Sequence, residues 1–259
     1  MKVSVIIPAY NAEKTIIRTL NSVVSQTREV YEVIVINDGS TDRTKDIVNE
    51  FVQKYPNIKL LNKVNEGVSI ARNCGIKESS GDFIAFLDSD DYWIENKIEK
   101  QLDILKNNPD IDLLGTARNN EKSGDFFLKK IGYLTAISAK LLLYKNFFST
   151  PTVIMKKRIA QDVGYFDEKQ KYAEEGDYWI RICNHNNCYF LNESLVMTDE
   201  KPYFGHSGLS GNIKEMEKGE LKNLKTAYKL KVVNLFEYSF LCIYSLLKYF
   251  RRVLIVKFR

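Results

Sequence analysis

A Rossmann-like α/β fold, with a mostly parallel central sheet flanked by helices and a C-terminal helical extension, is predicted by three observations. Short Val- and Ile-rich runs at 3–7, 32–36, 58–61 and 83–87 alternate with longer stretches of helical periodicity, the order that builds parallel βαβ units. The runs show little alternation of apolar and polar residues, as expected of strands buried on both faces. They end in polar or acidic residues, so their tips gather at one sheet edge, where open α/β sheets bind ligands.

Val3 to Ile7 is the first strand, ended by Pro8-Ala9-Tyr10-Asn11. A helix from about Ala12 to Ser25 follows, with Ile16, Ile17, Leu20, Val23 and Val24 as its apolar face. Glu32 to Ile36 is the second strand, closed by Asn37-Asp38-Gly39-Ser40-Thr41-Asp42. Thr41 or Asp42 suits the N-cap of a helix running to about Tyr55. Ile58 to Leu61 is the third strand. Asn65-Glu66-Gly67 then turns the chain into a helix carrying Arg72, whose first amides and guanidinium suit an anion. Past the fourth run, Ile98, Leu102 and Leu105 mark a helix over about Glu95–Lys106, and Asp110 to Gly115 reads as another strand. The pattern weakens from Thr116 to Phe148, with a short helix over Ser138–Tyr144. Thr150 to Met155 suits a strand at an antiparallel edge, followed by a short helix over Lys156–Val163 and a final strand over Tyr189–Val196.

The fourth run leads into Asp88-Ser89-Asp90-Asp91. Asp88 and Asp90 are two apart and can point the same way in an extended segment. Two adjacent carboxylates are costly unless a cation or proton lies between them. A hard cation such as Mn²⁺ or Mg²⁺ takes oxygen ligands and is completed by water and phosphates. Asp88-Ser89-Asp90 therefore reads as a metal-diphosphate site; taken alone, an acidic turn capping the next helix is the better explanation, and the rest of the chain reverses that order.

Four segments, VSVIIPAYN, VIVINDGSTD, NEGVSIARNCGI and GDFIAFLDSDD, come in order over about the first hundred residues, and together they resemble the family 2 glycosyltransferases of GT-A fold. The resemblance implies that Pro8, Ala9 and Tyr10 line the nucleobase and ribose, and that Asp38 accepts from the base. It places Asn65, Gly67 and Arg72 beside base and diphosphate, Asp88 near ribose and metal, and Asp90 as the direct ligand of Mn²⁺ or Mg²⁺. A second match follows Gly164-Tyr165-Phe166-Asp167 and reaches Glu174-Glu175-Gly176-Asp177-Tyr178-Trp179-Ile180-Arg181. There Glu175 falls at the base position, where the family normally has Asp; Glu174 and Asp177 are the alternatives. Inverting transfer needs such a base to take the acceptor's proton. The other reading is an acidic cap on a helix over about Asp177–His185. His206, in a loop over Lys201–Asn212, matches a family His near the diphosphate that contacts phosphate or metal, or is a surface residue.

The chain has 259 residues, a net charge of +5 and basic residues clustered at Lys248, Arg251, Arg252, Lys257 and Arg259. No nucleic-acid recognition motif is visible. The four cysteines are too few and irregular for a disulfide framework, and reduced thiols fit a cytosolic setting. Residues 1–212 read as the GT-A domain (1–115 the nucleotide-sugar half, 116–212 the acceptor half) and 213–259 as a membrane-associating extension. In that extension Phe236, Phe240, Ile243, Leu247 and Phe250 recur at helical spacing. Asn234, Glu237 and Lys248 interrupt the run, which is too short to span a bilayer. An interfacial helix on anionic lipid fits; docking on the core or on a second copy in a homodimer is the alternative.

The resemblance thus implies an inverting, metal-dependent hexosyltransferase. Its donor is a UDP-sugar and its acceptor a saccharide on undecaprenyl diphosphate, at the cytoplasmic face of the bacterial inner membrane, where surface polysaccharide and O-antigen are built. A non-catalytic nucleotide-sugar binder and a sugar nucleotidyltransferase are the competing readings; Pro8 to Glu13 is not the Gly-rich basic loop of the latter.

Overall fold

The structure is a computed structural model that describes residues 1–125, 130–198 and 211–258. The chain divides into two compact units, the first formed by Met1–Ile137, Phe147–Tyr165 and Asn186–Asp199, the second by Ser138–Asn146, Phe166–His185 and Glu200–Arg259.

The first unit carries the sheet. Its described strands are β1 (Val3–Ala9), β2 (Glu32–Asp38), β3 (Ile58–Lys63), β4 (Phe83–Phe86), β5 (Tyr92–Trp93), β6 (Leu113–Arg118), β7 (Leu134–Ala136), β8 (Ile154–Lys156) and β9 (Cys188–Met197). They are ordered β3-β2-β1-β4-β8-β6-β9-β5, with β7 paired to β9. β3, β2, β1 and β4 are parallel; β8 runs antiparallel to both β4 and β6. From β1 the chain steps outward to β2 and β3, then returns to place β4 on β1's other side. The switch point is therefore the crevice beyond the carboxyl ends of β1 and β4.

Both faces of this half-sheet are covered, which explains the unbroken apolar runs. Val5, Ile7, Val33 and Val35 share a core with Ile16, Leu20 and Val23 of α1 (Ile16–Val24) and Ile98, Leu102 and Leu105 of α4 (Lys97–Asn107). On the other face α3 (Val68–Glu78) lies close through Gly75, where a Cβ would come within 2.4 Å of Ile6 Cγ2 and 2.8 Å of Ile36 Cδ1. Helix α2 (Thr44–Lys54) follows β2, and α6 (Arg158–Val163) follows β8.

Several elements depart from the sequence reading, among them two in the first unit. Thr150–Thr152 is a 3-10 turn, because Pro151 lacks the donor a strand needs there and Thr152 N bonds back to Ser149 O. The strand that follows is β8, which lies inside the sheet between β4 and β6 and not at an edge. Helix α1 begins at Ile16, later than expected; Ala12 and Glu13 lie in the turn that leads into it, their amides held by Thr44 Oγ1 and Asp42 Oδ2 and the Ala12 carbonyl accepting from Ile16 N.

One buried carboxylate ties the amino ends of this half-sheet together. Glu32 accepts from Ser4 Oγ, Lys59 Nζ and both the amide and hydroxyl of Ser80. Burial acts to raise its pKa, but Lys59 and the serine donors outweigh it and lower the value from 4.5 to about 2. The folded value lies below the unfolded one, so this contribution is present above about pH 4.5 and is lost as pH falls towards 2. A shift of this size corresponds to about 3 kcal/mol. Glu32→Gln is expected to lower the melting temperature at pH 7 and to flatten the loss of stability between pH 4.5 and 2, measured by thermal melts across that range.

The second unit is helical: α5 (Ala139–Leu142), α7 (Glu174–Cys183), α8 (Ile213–Lys229) and α9 (Leu235–Lys257). Leu143, Ile180, Leu224, Ala227, Val233 and Leu241 form its core. Arg252 of α9 clamps Glu217 and Glu220 of α8, at 2.6 and 2.5 Å. Asn234 and Glu237, residues that interrupt the apolar run, form the capping box that starts α9.

Candidate functional site

In the first unit, most of the singled-out residues meet at the carboxyl edge of β1, β2 and β4. Pro8 and Ala9 are the buried last residues of β1, paired with Ile36 and Asn37 of β2. Tyr10 follows them out of the sheet and is 52% exposed, so its ring is open to stack on a planar group. The next residue, Asn11, has positive φ (49°), and its amide donates to Ser40 Oγ while its side-chain oxygen accepts from Thr41 N. The β1 tip is thereby fastened to the loop after β2.

Asp38 ends β2 and is 4% exposed. Its Oδ1 accepts from Lys63 Nζ at 2.8 Å and Glu66 N at 3.0 Å, and Oδ2 accepts from Gly67 N at 2.9 Å. A carboxylate has room for about four such bonds, so one acceptor site is left beside the three these donors fill. The main task of Asp38 in this chain is to shape the loop carrying Asn65, which is exposed, and Gly67, which adopts a left-handed φ of 97° at the cap of α3. Gly39 lets that loop approach: a Cβ there would lie 2.7 Å from Asn65 N.

Arg72 lies in the second turn of α3 and is 4% exposed. Its Nη2 donates to Asp88 Oδ1 at 2.8 Å. The arginine thus holds the first carboxylate of the Asp88-Ser89-Asp90 loop. The loop backbone is held by two residues of α1 that carry no local signal in the sequence. Thr19 Oγ1 donates to Ser89 O and Asp91 O, at 2.9 and 2.8 Å, and Arg18 Nη2 donates to Asp90 O at 2.8 Å. Asp91 is buried, whereas Asp88, Ser89 and Asp90 are half-buried. With the carbonyls pinned inward, the side chains of Asp88 and Asp90 are what the loop offers.

A divalent cation fits this pair. The donors are hard carboxylate oxygens, and one of them is already oriented by Arg72. Among the described residues no cluster of three or more His, Cys, Asp or Glu side chains forms a cage. A cation held by two carboxylates alone takes its remaining ligands from water and phosphate, the ordinary condition of Mg²⁺.

The second carboxylate cluster belongs to the other unit, where α7 starts at Glu174, three residues earlier than the sequence reading has it. The residue before it, Ala173, has left-handed φ (52°). Its carbonyl accepts from Asn223 Nδ2 at 2.8 Å and Gln170 Nε2 at 3.2 Å, and strain held in this way is a mark of functional sites. The three acids then separate by helical geometry. Asp177 is buried between Arg181 Nε at 2.8 Å and Thr226 Oγ1 at 2.9 Å, tying α7 to α8. Glu174 is buried too. Glu175 is half-buried, accepts from Asn146 Nδ2 at 3.0 Å, and lines a cavity of about 200 Å³ within the second unit. His206 lies outside the described residues.

A parallel half-sheet with a pinned carboxylate loop at its switch point is the architecture of GT-A proteins, and solved structures carry the same fold. The complex of S. aureus TarS with UDP-GlcNAc matches over 95% of this chain and 72% of that one, with TM-score 0.72 and 21% identity. The mannosyltransferase PcManGT of Pyrobaculum calidifontis, with GDP-Man and Mn²⁺, matches 88% of this chain and 64% of that one, with TM-score 0.67 and 16% identity. The chain belongs to glycosyl transferase family 2, whose model matches residues 4–164. It is 34% identical over 223 residues, 83% of both chains, to the UDP-Glc:alpha-D-GlcNAc-diphosphoundecaprenol beta-1,3-glucosyltransferase WfgD of Escherichia coli. It is also 38% identical over 187 residues, 71% of this chain, to an uncharacterized glycosyltransferase of Rickettsia bellii, of which it spans 27%.

Proposed function

We propose that the chain is an inverting glycosyltransferase that moves a hexose or N-acetylhexosamine from a UDP-sugar to a saccharide on a polyprenyl diphosphate, forming a β-glycosidic bond in bacterial surface-polysaccharide assembly. The observation that carries this reading is the pinned Asp88–Asp90 loop beside Tyr10 and the loop shaped by Asp38, at the switch point of a family 2 fold. The names of WfgD and of WfaP, a second E. coli relative 30% identical over 248 residues, state the same type of donor and acceptor.

Tyr10 stacks on the base, and the last acceptor site of Asp38 orients it. The first amides of α3 favour the diphosphate. Asp90, with Asp88, would hold Mn²⁺ or Mg²⁺, which when bound would offset charge on the departing diphosphate. Arg72 keeps Asp88 aimed through its 2.8 Å hydrogen bond. Glu175 accepts the proton of the acceptor hydroxyl as that oxygen bonds to the sugar's anomeric carbon, and the bond from that carbon to the diphosphate breaks, releasing UDP.

The outer face of α9 supports attachment to a membrane surface. Phe236, Phe240, Ile243, Leu247, Phe250 and Leu254 are all exposed, between 54% and 83%, and Arg251 and Lys257 are exposed beside them. Among the described residues no helix is long and apolar enough to cross a membrane. An amphipathic helix lying in the cytoplasmic headgroup layer of the inner membrane fits both facts. Replacing Phe240 and Leu247 with Glu is expected to abolish co-flotation with anionic vesicles and leave UDP affinity unchanged; retained flotation would refute the attachment.

The function is tested with a panel of UDP-sugars, Mn²⁺ and a synthetic GlcNAc-diphospho-lipid. Free UDP without pyrophosphate is expected from one donor. Pyrophosphate release would indicate a nucleotidyltransferase, and nucleotide binding without turnover would indicate a scaffold.

A further inference from the structure

The cavity beside Glu175 is built entirely from the second unit. Its walls come from the segment after α5, the start of α7, and the facing sides of α8 and α9. At about 200 Å³ it has room for roughly a dozen water-sized groups, which is the bulk of one pyranose ring with its substituents. Its chemistry is mixed in the way a sugar needs. Tyr144 and Tyr244, with ring centroids 6.4 Å apart, offer aromatic surface for the C–H face of a ring. Asn146, Glu175, Asn223 and Lys248 offer donors and acceptors for hydroxyls.

We propose that this cavity is the acceptor subsite, that it takes a single pyranose ring, and that the α8–α9 hairpin is one of its walls. The inference rests on Glu175 being the base, because the group that lines the cavity with Glu175 must present the hydroxyl to be deprotonated. Asn146 sets the orientation of that carboxylate through its 3.0 Å hydrogen bond. Asn223 joins the hairpin to the base by a separate route: its amide holds the carbonyl of left-handed Ala173, just before α7, while its oxygen accepts from Gln170 Nε2 at 2.8 Å. Gly219 of α8 closes the joint, since a Cβ there would lie 2.3 Å from Tyr172 O. The hairpin is therefore part of the site for the sugar, whatever lipid its other face meets.

The test measures two quantities on the full chain. Acceptor KM is obtained with a GlcNAc-diphospho-undecyl probe, and binding of that probe is followed by saturation-transfer NMR, which needs no turnover. Tyr244→Ala and Tyr144→Ala are expected to raise acceptor KM about ten-fold or more, leave UDP affinity unchanged and weaken saturation transfer to the sugar protons. Tyr244→Phe should restore the wild-type values, since the ring face and not the hydroxyl makes the contact. Normal acceptor KM in both alanine variants, each with a wild-type melting temperature, would overturn the subsite. Tyrosine-dependent probe binding without any turnover would instead retain the subsite and remove the transferase reading; no binding and no turnover would remove both.

Discussion

Glu175→Gln is expected to lower kcat by about 10²- to 10⁴-fold, the range supplied by a positioned general base, while UDP affinity stays at the wild-type level. The substitution keeps the side chain's length and one hydrogen-bonding oxygen but removes the capacity to accept a proton. Its neighbours sharpen the expectation. Asp177 is committed to Arg181 and Thr226, so Asp177→Asn is expected to appear mainly as lost stability where α7 meets α8, with UDP affinity unaffected. A Glu175→Gln enzyme with normal turnover would remove Glu175 from the chemistry. Stopped-assay kcat beside calorimetric UDP binding distinguishes the outcomes.

The second large effect is expected at Asp90. Its backbone carbonyl is held by Arg18, so Asp90→Asn leaves the loop in place and changes only the side chain. Losing a direct carboxylate ligand should weaken Mn²⁺-dependent UDP binding by more than the 10- to 100-fold typical of removing an outer-shell partner. UDP affinity measured with EDTA in place of Mn²⁺ should be nearly the same in both proteins. Equal affinity of variant and wild type in the presence of Mn²⁺ would contradict the role given to Asp90. Arg72→Met offers a graded comparison, since it strips Asp88 of its 2.8 Å partner without touching Asp90.

The half of the candidate site in the first unit was legible because it lies on regular elements. Buried parallel strands write themselves as apolar runs, and the residues at their tips must share an edge. What holds those tips could not be read. Thr19 and Arg18 reach the Asp88–Asp91 loop across about seventy positions of sequence, and neither carries a local signal. The choice among Glu174, Glu175 and Asp177 was partly legible. Asp177 and Arg181 are spaced to pair along one helix face, which leaves Glu175 on a different one. The early start of α7 was not legible, because the left-handed Ala173 depends on Asn223, fifty positions further on. In the tail, Asn234-x-x-Glu237 is a capping box that the sequence displayed; read as a break in the apolar run, it is the reason a helix starts there. The placement of β8 inside the sheet was hidden because a short apolar strand looks alike at an edge and in the middle.

The most direct test of the account is the anomeric configuration of the new bond, read by NMR on product made from an α-linked UDP-sugar. A single displacement assisted by one carboxylate gives only the β-anomer. Product with the α configuration would contradict the mechanism built on Glu175.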